Sequence, residues 1–188
     1  MKNIKTGLKN TALAAMFLSL GMLLPLFTGQ IKEIGDSLLP MHIPVMLCGL
    51  LCGWQYGAAV GLILPFLRSV IFTMPPIYPN AVWMSFELAT YGFVIGLMYS
   101  KIKKKNTFTL YLSLIVSMIS GRIVWGVSKN ILLGLGGKTF TVNMFFIGGI
   151  IDAVPGIILQ LIIIPIIIKV IENCQSRKNA SNGSDYAK

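Results

Sequence analysis

The sequence predicts an all-α membrane protein, a compact bundle of six transmembrane helices with both termini on the cytoplasmic side, and three observations carry that prediction. The 188 residues are 55% hydrophobic and only 12% charged, with a mean hydropathy of +0.77, where an ordinary soluble domain is roughly 25% charged. The apolar residues run in long unbroken stretches; a membrane-crossing helix needs about 20 of them, so the length holds about five or six spans and no soluble domain. The basic residues are confined to short polar segments: Lys2, Lys5 and Lys9; Lys101, Lys103, Lys104 and Lys105; Lys169, Arg177 and Lys178. Clusters of that kind beside apolar spans obey the positive-inside rule, so the net charge of +10 reports topology and not nucleic-acid binding.

Span one runs from about Leu8 to Phe27; it lacks a small-x-small cleavage site and is read as a membrane helix, not a signal peptide. Thr11, Ala15 and Ser19 recur every four residues in it, a small-residue row that admits close approach of another helix. A loop, Gly29 to Leu39, carries Gln30, Lys32, Glu33 and Asp36. Span two begins near Pro40 or Pro44, where proline suits a first helical turn, and ends by Gly53, which makes it short. Gly53 to Gly57 reads as a tight turn with Trp54 and Tyr56 as interfacial aromatics, and span three runs on from about Ala58 to Phe72. Pro75, Pro76 and Pro79 then interrupt the helix.

Span four covers about Ala81 to Tyr99 and returns to the basic cluster at Lys101 to Lys105. Span five covers about Phe108 to Leu132, a glycine-rich loop comes next, and span six covers about Val142 to Ile168, with kinks expected at Pro155, Gly156 and Pro165. Residues 1–171 form the bundle, and 172–188 a polar cytoplasmic tail expected to be disordered. An even number of spans places all three basic clusters on one side, whereas five would strand one of them outside. Cys48 and Cys52 lie in an apolar span without accompanying histidine, as small buried hydrophobes do.

Charged residues inside such spans are costly and point to function. On this topology His42, Arg68, Glu87, Arg122 and Asp152 fall in the outer half of the membrane, with Lys129 at the outer end of span five. Helical spacing sets Asn80, Trp83, Glu87 and Tyr91 on one stripe, Arg122, Trp125 and Lys129 on a second, and Gly149, Asp152, Gly156 and Gln160 on a third. Aromatic rings interleaved with charges suit a small, flat, polar ligand. The same charges also balance as two structural ion pairs, Arg68 with Glu87 and Arg122 with Asp152. The sequence holds one histidine, no HExxH, no GxSxG and no Walker motif, which points away from an enzyme and from ATP hydrolysis by this chain. No cofactor or metal set is read from it.

Leu39-Pro40-Met41-His42-Ile43-Pro44, continuing through Gly49, Gly53-Trp54 and Gly57 to Pro65-Phe66-Leu67-Arg68-Ser69, and then Phe86-Glu87-Leu88-Ala89-Thr90-Tyr91-Gly92, resembles the substrate-binding S components of energy-coupling factor (ECF) vitamin transporters, over about residues 8 to 171. The resemblance implies a high-affinity binding subunit of an ABC-type importer in a bacterial-type cell membrane. Its partners would be a transmembrane scaffold subunit and two ATPase subunits, and its cargo a water-soluble vitamin taken from outside. The ligand would sit beneath the loops Gly29–Leu39, Met74–Asn80 and Leu133–Thr141. Scaffold docking in that family uses an alanine-xxx-alanine motif in span one; Thr11, Ala12, Ala15 and Ser19 stand there in this chain. The central segment is most similar to components for pyridoxine or hydroxymethylpyrimidine compounds, with pantothenate second. Glu87 or Asp152 suits a protonated ring nitrogen, and Arg122 with Lys129 suits a carboxylate. A solitary carrier or an oligomeric channel is the alternative.

Overall fold

A computed structural model describes residues 2–27, 39–102, 106–137 and 141–185, and every regular element among them is helical. α1 (Lys2–Phe27), α2 (His42–Cys52), α3 (Trp54–Phe72), α4 (Val82–Lys101) and α5 (Thr107–Leu135) come in order. α6 (Val142–Phe146) and α7 (Val154–Asp185) form the last span across a π-helical turn at Ile147–Ile151. Five of the resulting segments are long and apolar enough to cross a membrane, and α2 is the short sixth helix. Outward-facing apolar rows identify the surrounding solvent: Ile119, Ile123, Val127 and Ile131 on α5, and Ile158, Ile162, Ile166 and Val170 on α7, are all about half exposed. Rows four residues apart that no protein covers are faces for lipid.

The 11 residues of α2 span about 16 Å at 1.5 Å per residue, too little for a hydrocarbon core of about 30 Å. The helix is instead swallowed by the bundle: ten of its 11 residues are buried, packed against α1, α3 and α4. Cys48 and Cys52 are part of that packing. The turn expected over Gly53 to Gly57 shrinks to one residue. Gly53 adopts φ 100°, a conformation side chains resist, and α3 begins at once with Trp54. Asn10 donates to the Cys52 carbonyl at 3.3 Å, and the Tyr56 hydroxyl to the Gly7 carbonyl at 3.4 Å, so α1 starts at the end of the bundle where α2 turns into α3.

Glycines set how closely the central helices approach. A Cβ on Gly49 would lie 2.6 Å from the Gly92 carbonyl oxygen, one on Gly57 2.7 Å from the Gly49 Cα, and one on Gly92 would strike the Gly57 carbonyl. α2, α3 and α4 therefore meet backbone to backbone, the small-residue packing that membranes favour.

At the opposite end, Arg68 is buried near the close of α3, where its Nη1 donates to the Met22 carbonyl at 2.7 Å and its guanidinium lies over the Phe72 ring. Ser69 donates to the Pro75 carbonyl, and the chain re-enters α4 through a π-helical turn, Ile77–Ala81. Tyr78 reaches the Leu132 carbonyl on α5 at 3.4 Å. The last span bends at Ile147–Ile151 and the turn after it, ahead of Pro155; Pro165 sits within α7. Helical backbone continues past residue 172 to Asp185, where the sequence suggests a disordered tail. Its polar residues carry ordinary helix propensities, so loss of apolar character does not by itself end a helix.

Candidate functional site

Glu87 is the centre of the polar cluster. It lies in the second turn of α4, 2% exposed, and three side chains converge on its Oε1: Arg122 Nη1 at 3.0 Å, Tyr91 Oη at 3.2 Å and His42 Nε2 at 3.5 Å. Each partner has a sequence reason to be there. Tyr91 lies four residues after Glu87, the spacing that stacks side chains on one helix face. His42 opens α2 and meets the Tyr91 ring edge-on, with centroids 5.0 Å apart. Arg122 comes directly after Gly121, whose lack of a side chain admits the Tyr91 ring: a Cβ there would lie 2.7 Å from its Cζ. Ser117, one turn earlier on α5, donates to the Tyr91 carbonyl at 3.0 Å and helps fix the α4–α5 register.

A buried carboxylate is tolerated only when paired and hydrogen-bonded. Glu87 meets that condition, while its partners keep capacity to spare. Nε and Nη2 of Arg122 and Nδ1 of His42 are buried without a hydrogen-bond partner among the described residues, and His42 Nε2 has only its long 3.5 Å contact with Glu87. Buried polar atoms of native proteins are rarely left so, and each such group asks for an explanation.

An aromatic platform adjoins this cluster. The Trp125 ring lies 5.9 Å from the Arg122 guanidinium, and Lys129 Nζ lies 4.4 Å from the centroid of Trp125 and 5.4 Å from that of Trp83. The ammonium thus bridges two indole faces by cation–π attraction. Phe145 of α6 packs on Trp125 at 6.1 Å, and Gly148 and Gly149 let the chain pass against the same ring.

The stripes Glu87–Tyr91 and Arg122–Trp125–Lys129 thus meet across the α4–α5 interface with His42 between them. Asn80 lies half-buried in the π-helical turn before α4. Two members of the expected constellation stand elsewhere. Arg68 serves the Met22 carbonyl and Phe72, so the anticipated Arg68–Glu87 pair gives way to Arg122–Glu87. Asp152 is exposed, while Gly149, Gly156 and Gln160 of the same predicted stripe are buried. Asp152 lies in the two-residue turn between the π-helical turn at Ile147–Ile151 and α7, so it is off the continuous α-helical face on which the stripe is counted. The Arg122–Asp152 pairing is therefore replaced as well. Phe145 and Ser117 are additions that the charge pattern gave no reason to select. Gln160, which the stripe included, ends 1% exposed with an unpartnered Nε2.

On α1 the small residues Thr11, Ala12, Ala15 and Ser19 all face outward. Thr11 and Ser19 return their hydroxyls to the Gly7 and Ala15 carbonyls, which leaves the row smooth. Of the three loops expected to cover the ligand, Met74–Asn80 is described, whereas 29–38 of the first and 138–140 of the third lie outside the described residues.

The Tyr91 contact gives a graded test. Tyr91→Phe keeps the ring against His42 and Gly121 but removes one donor to a carboxylate, worth about 1.5 kcal/mol. Thermal unfolding in detergent should move down modestly, with Arg122 and His42 still holding Glu87.

A family model described as "ECF transporter, substrate-specific component" matches residues 9–168. No curated protein and no solved structure matches the chain.

Proposed function

The chain belongs to the family of ECF transporter substrate-specific components, and from that premise we propose that the Glu87 cluster and its tryptophan platform are the pocket in which it captures a water-soluble vitamin or vitamin precursor. Membership makes the chain a multi-pass membrane transport subunit for a small molecule, working with an ECF scaffold and ATPases. The finer reading is that both termini lie in the cytoplasm of a bacterial-type cell and that the pocket opens outward, as the basic clusters favour. His42, Glu87, Tyr91 and Arg122 form its polar floor; Trp83, Trp125 and Lys129 form its wall, with Asn80 at the rim. The outward row Thr11, Ala12, Ala15 and Ser19 on α1 is the surface offered to the scaffold.

The observation that carries this reading is the surplus of polar capacity in the cluster: buried donors on Arg122 and the Nδ1 of His42 beyond what Glu87 requires. A purely structural ion pair has no use for them.

Deleting the partner ATPases should abolish uptake by cells, while the isolated chain still binds the vitamin. Uptake that persists undiminished without those ATPases would instead make the chain a solitary carrier.

A further inference from the structure

Glu87 engages only one nitrogen of Arg122. Nη1 lies 3.0 Å from Oε1, while Nε and Nη2 are buried and unpartnered among the described residues. In a planar guanidinium the Nε–H and one N–H of Nη2 point in parallel along the same edge. That edge matches the two oxygens of a carboxylate side-on. The plane of the fork is steadied by Trp125, whose ring lies 5.9 Å from the guanidinium carbon.

Glu87 is in the opposite situation. Its Oε1 already faces Arg122, Tyr91 and His42, so that oxygen is engaged by the protein's own donors, and a protonated ring nitrogen brought to the carboxylate would stand beside the Arg122 cation. Lys129, against the same Trp125 ring at 4.4 Å, adds a second positive charge to that side of the cluster.

Resting on the reading of this cluster as the substrate pocket, we infer that the transported compound is a carboxylate, held side-on by Nε and Nη2 of Arg122 with its body against Trp125 and Trp83. The neutral or weakly basic heteroaromatic cargo that the resemblance of the central segment suggests gives way to an organic acid. His42 Nδ1, also buried and unpartnered, is available to a second polar group of the ligand.

The test uses matched acid and neutral probes on the full-length chain in detergent: pantothenate against pantothenol, nicotinate against nicotinamide, biotin against biotinamide, with pyridoxine and thiamine as neutral and basic competitors. Binding is read by tryptophan fluorescence and calorimetry. In at least one pair the acid should bind more than tenfold tighter than its neutral partner, because a charged hydrogen-bonded contact is lost with the carboxylate. Arg122→Lys keeps a cation for Glu87 but has no side-on fork. It should remain folded by size-exclusion and thermal unfolding and lose that acid preference. Equal binding of acid and neutral partners, tightest binding of pyridoxine or thiamine, or an undiminished preference in folded Arg122→Lys overturns the carboxylate inference while leaving the pocket in place. No response to any probe overturns both.

Discussion

Glu87→Gln should unfold about 3 kcal/mol more easily than the wild-type chain and lose its ligand, because breaking one side of a buried ion pair leaves the other charge uncompensated. The amide is the same size and its oxygen can still accept from Tyr91, so packing hardly changes. The loss falls on Arg122, whose side chain is only 11% exposed beside Glu87. A second substitution separates stability from function. Glu87→Gln combined with Arg122→Met removes both charges and replaces the guanidinium with an apolar chain, and such replacements are often neutral or stabilising. The double variant should therefore recover most of the lost stability, a non-additivity expected of residues in direct contact. Thermal unfolding in detergent reads the first quantity; ligand titration reads the second, and it should not recover.

Gly92→Val should be at least as damaging, for a reason unrelated to charge. A Cβ on Gly92 meets the Gly57 carbonyl and lies 2.9 Å from the Gly57 Cα. The obstruction is backbone and cannot rotate aside. Overpacking in a core costs about 1–3 kcal/mol when side chains can yield, and more when they cannot. α2, α3 and α4 would be forced apart, and with them His42 from Glu87. The variant should lose both its sharp melting transition and its binding. Gly134→Ala is the control: nothing lies within 4 Å of the added carbon near the end of α5, so its melting should be unchanged or slightly raised. A Gly92→Val chain that melts like Gly134→Ala would remove the backbone seam from the account.

The bundle was legible in the sequence because hydrocarbon imposes long apolar runs, and the ends of α2, α3 and α5 fall within a few residues of where glycine, proline and charge place them. Much of the cluster was legible too. A period of 3.6 brought Glu87 to Tyr91 and Arg122 to Trp125 and Lys129, and a buried charge in an apolar run draws attention to itself.

The pairings were not legible. Charge balance alone coupled Arg68 to Glu87 and Arg122 to Asp152, but a balanced count is satisfied by several matchings. The choice depends on helix neighbours: α4 packs closely along α5, which delivers Arg122 to Glu87. Arg68 finds the Met22 carbonyl on α1 instead. Asp152 was lost to a feature without a reliable sequence mark. Ile147-Gly148-Gly149-Ile150-Ile151 reads as ordinary apolar helix, yet it forms a π-helical turn followed by a two-residue break, and Asp152, in that break, is exposed while Gly156 and Gln160 stay buried. Glycine at both 53 and 57 suggests a longer break than the one-residue turn at Gly53, whereas Gly57 serves the close approach to Gly49 and Gly92.

The central claim is that the buried charges around Glu87 hold a substrate and not only one another. Its most direct test is a tryptophan-fluorescence titration of the wild-type chain and of the folded Glu87→Gln, Arg122→Met double variant, using the vitamin that gives the largest wild-type response. Saturable binding in the wild type and none in the equally stable double variant is the predicted result. Wild-type affinity in the folded double variant would reduce Glu87 and Arg122 to a structural pair and contradict the account.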